Sequence, residues 1–322
     1  MHSIAQLSQL FEQYTKQQTF SRKPDLLYRP VEYMLGLGGK RLRPILVMLS
    51  AELFGRNPQD MLPQAFAVEL FHNFSLIHDD IMDQASIRRG KETVHVKFNP
   101  RTAILSGDVM LVWAYEYLLR NDPNHIAELM HVFNRTAMEV CEGQQMDLDF
   151  ENRIPSTESY IEMITLKTAA LLGGALRIGA ILADAASEDA ERLYQFGMNT
   201  GIAFQLLDDI LDTFSTSEEF GKRIGGDIVQ NKKSILLLNA MQDASEQQLA
   251  YIHHWLNIKD DDNQKIEAMK KLYIETGAEA KARAMVRHYH HKALEAIASV
   301  SVREERKHVL TNFSESLLNR TH

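Results

Sequence analysis

The sequence predicts an all-α protein, and three observations carry that expectation. Its 322 residues include only 16 glycines and 8 prolines, few breakers for a chain of this length. Apolar residues recur three and four apart over long stretches, the spacing of one helical face. Hydrophobic residues make up 45% and charged residues 24%, a balance that buries a sizeable core rather than leaving the chain disordered.

Ile4, Leu7, Leu10, Phe11 and Tyr14 outline an amphipathic first helix. Pro24 and Pro30 punctuate the next stretch. The glycine-rich basic run Gly36 to Pro44 reads as a flexible loop, with Pro44 at the first position of a helix through Phe54. Pro63 likewise starts a helix that ends near Ser86, where Arg88-Arg89-Gly90-Lys91 supplies cations and a glycine stop. A helix from Thr102 to Arg120 gives way to the turn Asn121-Asp122-Pro123-Asn124, another covers His125 to Asp149, and Pro155 closes that section. Ser156-Thr157-Glu158 opens a helix that carries Lys167-Thr168 and reaches Gly173-Gly174. Ser187 caps the next, with Glu188 and Asp189 favourable in its first turn. The polar stretch from Ser215 to Lys233 reads as a functional loop, and amphipathic helices fill the rest. No linker stands out, so residues 1–322 read as one domain.

The net charge of -8 argues against a nucleic-acid partner, whose phosphates call for a basic surface. The single cysteine, Cys141, excludes an intramolecular disulfide, suits a reducing compartment and reads as a small core residue. Met1 to Tyr14 includes Glu12 and lacks the apolar run of a secretory signal. No run approaches the roughly 18 apolar residues of a transmembrane segment. The expected location is cytoplasmic.

Chemistry enters at Ser75-Leu76-Ile77-His78-Asp79-Asp80-Ile81-Met82-Asp83. On a helix, Asp79 and Asp83 stack one turn apart with Asp80 beside them; such like-charge pairs cost an isolated helix about 0.2–0.5 kcal/mol each. A lone copy reads first as a solvated helix end. Phe204-Gln205-Leu206-Leu207-Asp208-Asp209-Ile210-Leu211-Asp212 repeats the pattern. Two copies suit a hard cation such as Mg2+, which takes one or two carboxylates and completes its shell with water and phosphate.

Basic clusters at Lys40, Arg41 and Arg43, at Arg88, Arg89 and Lys91, at Lys222 and Arg223, and at Lys232 and Lys233 would repel such ions unless an anion lay between. A polyphosphate satisfies both charges, although each cluster alone is also an ordinary solvated loop. Phe71, Phe74 and Ser75 precede the first acidic segment on or beside its face, and Gly201 and Phe204 precede the second. That placement suits a ligand with a charged head and a hydrocarbon tail; core packing explains each aromatic singly. Asp260-Asp261-Asp262 reads as a loop or cap, and His288-Tyr289-His290-His291 as a solvated helix face.

Taken in order, GGKRLRP (Gly38 to Pro44), HDDIMD (His78 to Asp83), RRG (Arg88 to Gly90), GQQMD (Gly143 to Asp147), Lys167-Thr168, FQLLDDILD (Phe204 to Asp212) and Gly221-Lys222 followed by GGDIVQNKKS resemble the trans-isoprenyl diphosphate synthase family, the polyprenyl synthetases of the farnesyl and geranylgeranyl diphosphate synthase kind. The resemblance covers most of the chain. It implies an all-α, single-domain helical bundle around a deep central cavity, and a homodimer. The implied reaction joins isopentenyl diphosphate head to tail to an allylic diphosphate. The allylic C–O bond ionises with help from three Mg2+ ions per active site, the double bond of isopentenyl diphosphate attacks, and the released diphosphate takes a proton.

Carried over position by position, Asp79, Asp80, Asp83, Asp208, Asp209 and Asp212 are the metal residues, with Asp79, Asp83 and Asp208 holding Mg2+ directly. Arg88, Lys167, Lys222 and Lys232 match positions that clamp the allylic diphosphate. Lys40, Arg43, His72 and Arg89 match those that bind isopentenyl diphosphate. Thr168 and Gln205 match positions whose oxygens lie near the developing cation, and with Lys167, Asp79 and Asp208 they make up the catalytic set. Without the resemblance, His72 reads equally as a core histidine and Lys167 as a snorkelling lysine.

Phe71, Phe74 and Ser75 match the positions that set product length, and the first acidic motif lacks a two-residue insertion. This implies a short product of about C15–C20, with geranylgeranyl diphosphate ahead of farnesyl diphosphate. Rival readings are a longer-chain polyprenyl diphosphate synthase, a class I terpene cyclase, a non-catalytic partner subunit and a purely structural helical protein. A cyclase would not need the second basic pocket or the second DDxxD.

Overall fold

Helix accounts for 79% of the described residues in the computed structural model, which describes every residue except 21, 121–122, 216–223, 259–261 and 319–322. Its helix starts arise from local chemistry. Ser3 Oγ accepts from the Gln6 amide at 3.3 Å while Gln6 Oε1 accepts from the Ser3 amide at 2.8 Å, a reciprocal cap that opens α1 (Ile4–Gln17). In α2 (Asp25–Gly36), Pro30 sits inside the helix rather than punctuating the chain. It is buried with Val31, Met34 and Leu35, and that apolar face offsets the missing amide. α3 (Leu42–Leu53) begins two residues before Pro44, just after Arg41, whose φ is 49°. A 3₁₀ turn (Pro58–Met61) leads into α4 (Leu62–Met82), with Pro63 in its first turn as the sequence indicates.

After α4 the basic loop closes into a small hairpin, β1 (Ile87–Arg88) antiparallel to β2 (Lys91–Glu92), an exception to the all-helical pattern. Arg89 and Gly90 both have positive φ, as a tight hairpin turn requires. Then come α5 (Val94–Lys97), α6 (Pro100–Leu118), α7 (Ile126–Glu151) and α8 (Thr157–Ile164). A π turn (Thr165–Ala169) interrupts the helix expected to run on from Ser156, and α9 (Ala170–Leu182) and α10 (Ser187–Phe214) come next. The rest comprises α11 (Gly226–Val229), α12 (Ile235–Asp243), α13 (Glu246–Asn257), α14 (Asp262–Glu275), α15 (Ala278–Ala298) and α16 (Glu304–Leu318).

These residues group into two compact units. The first comprises Met1–Ala137, Leu171–Gln195 and Ile297–Leu310. Within it α4 is buried all round from Pro63 to Phe71, as a core helix is, and α6 and α3 pack along it. Phe66 meets Tyr117 of α6 edge-on at 4.7 Å and Phe11 of α1 at 6.2 Å; burying such a ring contributes about 1.5–3 kcal/mol. The second unit comprises Met138–Ala170, Phe196–Ala296 and the chain from Thr311. Its core joins Phe150, Tyr160, Leu206 and Ile210 to Ile235–Leu238 of α12 and to Met269, Leu272 and Tyr273 of α14.

Cys141 is exposed, not a core residue, because it lies one position past the buried Val140 and so rotates off the inward face of α7. The stretch Thr157–Leu182 is long and apolar enough to cross a membrane, which the sequence pattern did not reveal. Of its apolar window, 72% is buried, so its apolar surface is spent on the protein's own core.

Candidate active site

In the first unit, α4 presents the first acidic segment at its C-terminal end. Asp80 is 1% exposed. Arg88 Nε reaches its two oxygens at 2.9 and 2.8 Å, and Nη2 lies 2.7 Å from Oδ1 and 3.7 Å from Asp79 Oδ2. Burial pushes the Asp80 carboxyl above its ordinary value, against the hydrogen bonds and charge of Arg88. Burial opposes the Arg88 charge, but the Asp80 hydrogen bonds and the charges of Asp80, Asp79 and Asp83 outweigh it and raise its pKa. Asp79 is half-buried and Asp83 exposed. The inner carboxylate is therefore anchored to the hairpin, and Asp79 and Asp83 stand one turn apart beside it.

A cationic cluster occupies the same unit. Arg43 Nη1 donates to His72 Nε2 at 3.1 Å. Burial, then the charges of Arg43, Arg89, Arg88 and Arg41, holds His72 well below its usual pKa, so it accepts as a neutral imidazole. Burial lowers Arg43 to about 10, which leaves it charged, and its Nε is buried with no hydrogen-bond partner among the described residues. Arg89 donates to the Gly38 carbonyl, and Lys40 is exposed. Arg41 is different: buried, it pairs with Glu69 and donates to the Leu35 carbonyl at 2.6 Å. GGKRLRP thus spends one arginine on the fold and places another in a cluster suited to an anion.

The product-length candidates belong to a ladder of rings. Phe74 lies 5.6 Å from Phe71, Phe71 meets Phe133 of α7 edge-on at 5.5 Å, and Phe133 meets Tyr115 of α6 at 5.1 Å. Ser75 donates to the His72 carbonyl at 2.8 Å. Sequence inspection missed Phe133, whose contact with Phe71 joins residues far apart in the chain.

In the second unit, Lys167 and Thr168 sit on the π turn. Two glycines let neighbouring helices approach it: a Cβ on Gly143 of α7 would lie 2.3 Å from the Lys167 amide nitrogen, and one on Gly201 of α10 would lie 2.6 Å from Ala169 Cα. Lys167 Nζ lies 2.5 Å from Asp147 Oδ2, so an ion pair places this amine rather than snorkelling. Thr168 Oγ1 donates to Gln205 Oε1 at 3.3 Å, and Gln205 Nε2 donates to Asp209 Oδ1 at 3.3 Å. Asp209 is buried, and its Oδ2 accepts from the Tyr160 hydroxyl at 2.5 Å and the Ile235 amide at 3.0 Å. Burial, then the charge of Asp227, raises it to about 7.

The second acidic segment therefore repeats the first, with an anchored inner carboxylate and half-buried outer residues, Asp208 and Asp212, one turn apart. Asp212 also ties the start of α11 to α10: its carbonyl accepts from the Gly225 amide at 2.7 Å and its Oδ2 from the Asp227 amide at 2.9 Å. Lys232 Nζ lies 3.6 Å from Asp227 Oδ1. Lys222 and Arg223, like Asp260 and Asp261, fall outside the described residues. His288 and His291 are exposed on α15.

No three His, Cys, Asp or Glu side chains among the described residues converge into a metal cage. The outer carboxylate pairs fit Mg2+ nonetheless, because that ion is commonly held by one or two carboxylates together with substrate phosphate and water.

The family profile described as Polyprenyl synthetase matches residues 24–274. The chain is 45% identical over 223 residues to a geranylgeranyl diphosphate synthase of Methanosarcina mazei, covering 68% of this chain and 69% of that one. It is 40% identical over 257 residues to a short chain isoprenyl diphosphate synthase of Methanocaldococcus jannaschii, covering 78% and 79%. A crystal structure of a geranylgeranyl pyrophosphate synthase matches with a TM-score of 0.95 at 43% identity, over 99% of each chain. The ordered motifs, the helical fold and these likenesses agree: the chain belongs to the polyprenyl synthetase family, the trans-isoprenyl diphosphate synthases.

Proposed function

We propose that the chain is a prenyltransferase that condenses isopentenyl diphosphate with an allylic diphosphate to give an all-trans prenyl diphosphate of about C15–C20. The observation that carries this is the doubled acidic arrangement, in which protein donors anchor Asp80 and Asp209 while Asp79 with Asp83, and Asp208 with Asp212, are presented one turn apart. Enzymes of this family use Mg2+. The outer residues would hold it, three ions in all, and Asp80 and Asp209 would act by orienting them. Bound Mg2+ supplies Lewis-acid stabilisation of the charge that builds on the leaving diphosphate.

Arg88, Lys167, Lys222 and Lys232 bind the allylic diphosphate. Lys40, Arg43, His72 and Arg89 bind isopentenyl diphosphate, with neutral His72 orienting the Arg43 guanidinium. Thr168 and Gln205 offer oxygen dipoles that stabilise positive charge without trapping it covalently. The ladder from Phe74 to Tyr115 supports a floor that limits the growing chain. We also propose one catalytic domain over residues 1–322, a homodimer and a cytoplasmic location. Ile104, Leu105 and Val112 are exposed on α6, an apolar surface suited to a second copy, and a lone exposed thiol suits a reducing compartment.

Incubation of the purified protein with Mg2+, isopentenyl diphosphate and dimethylallyl, geranyl or farnesyl diphosphate in turn tests the reading. Elongated short-chain diphosphates support it. A cyclised hydrocarbon would indicate a terpene cyclase, and no turnover a partner subunit or structural protein.

A further inference from the structure

Lys265 stands in the first turn of α14 and is 3% exposed. A buried ammonium carries a desolvation cost, and a helix N-terminus is the end where positive charge is least favourable. Burial lowers its pKa, Lys233 lowers it further and Asp262 opposes them. Both of its hydrogen bonds among the described residues end on neutral oxygens, Asn231 Oδ1 at 2.6 Å and the Ile258 carbonyl at 3.2 Å.

Asn231 is the hub of this contact. Its φ is 57°, a left-handed conformation that asparagine tolerates better than most residues. Its Nδ2 donates to the Leu256 carbonyl at 2.9 Å, its amide donates to the Ile228 carbonyl at 3.2 Å, and its carbonyl accepts from Lys233 Nζ at 2.8 Å. The next amide, that of Lys232, donates to the Asp227 carbonyl at 2.9 Å, and Asp227 is tied in turn to Asp212. The Lys265 amine therefore joins the end of α13 to the turn that carries Lys232, through a single asparagine side chain.

We propose that Lys265 is a positioning residue for the allylic diphosphate, fixing through Asn231 the turn from which Lys232 reaches the substrate. The proposal rests on the reading of Lys232 as a diphosphate ligand. Its test compares Lys265→Met, Asn231→Gly, the double variant and Lys232→Ala by steady-state kinetics in both substrates and by thermal unfolding. Asn231→Gly keeps the left-handed backbone and removes only the side-chain bonds. Lys265→Met and Asn231→Gly should each raise the KM for the allylic diphosphate about tenfold and leave that for isopentenyl diphosphate within about twofold; the double variant should be no worse than either, since the two act as one unit. Lys265→Gln, which keeps an amide donor, should lie between. Should Lys265→Met fail to fold, Lys265→Gln and Asn231→Gly decide.

An unchanged allylic KM in these variants beside a raised one in Lys232→Ala overturns the proposal and leaves the Lys232 reading standing. Equal rises in both KM values with a lowered Tm also overturn it, marking Lys265 as merely structural. An unchanged allylic KM in Lys232→Ala overturns the reading of Lys232 and the proposal with it.

Discussion

A histidine ringed by guanidiniums resists protonation, and for His72 this has a measurable consequence. In the unfolded chain it takes a proton near its usual 6.5, whereas the folded protein keeps it neutral to well below that value. As pH falls below 6.5 the unfolded state binds a proton that the folded state refuses, so stability declines; above 6.5 neither state binds it and the contribution vanishes. Urea unfolding between about pH 5 and 7 should show a shallower acid slope for His72→Gln than for the wild type, and equal slopes would show that His72 is solvated. Glu69 offers a second check. Removing it strands the Arg41 charge, whose side chain is only 6% exposed, and Glu69→Ala should cost about 3–5 kcal/mol. A loss below about 1 kcal/mol, as at an exposed pair, would contradict the buried pairing. Phe71→Ala with Phe74→Ala should lengthen the product seen by chromatography; an unchanged product removes these rings as the floor. The acidic residues were legible because carboxylates stand out in an apolar run. Their anchors were not, since the bonds of Tyr160 to Asp209 and of Arg88 to Asp80 depend on the fold bringing separate elements together.

At the scale of elements, helix starts were the more readable part. Pro63 and the capping residues act within a turn of their own position, so local sequence reveals them. The π turn at Thr165–Ala169 was invisible, because the apolar pattern from Ser156 to Gly174 is that of one continuous helix. What marks the interruption is tertiary: Gly143 and Gly201 admit backbone where any side chain would collide. Gly143→Ala should therefore destabilise the protein by about 1–3 kcal/mol and reduce turnover by displacing Lys167 and Thr168. Gly36→Ala, where a methyl meets nothing within 4 Å, serves as the control. Equal and small effects of the two substitutions would show that the close approach is dispensable.

At the scale of the molecule, the all-α class was legible in composition and periodicity, whereas assembly was not, since an exposed apolar residue has no sequence signature of its own. Leu105 and Val112 are each 59% exposed on α6. Sedimentation should return twice the 36.8 kDa chain mass, and Leu105→Asp with Val112→Asp should shift it towards the monomer; a monomeric wild type would refute the dimer. The central claim is that two acidic segments, separately anchored, serve one Mg2+-assisted ionisation. Steady-state turnover of Asp79→Ala, Asp208→Ala and the double variant tests it most directly. Each single substitution should lower kcat by about 100-fold or more, and the double should lose little beyond the worse single, as groups acting on one transition state do. A near-wild-type rate in either single variant would contradict it.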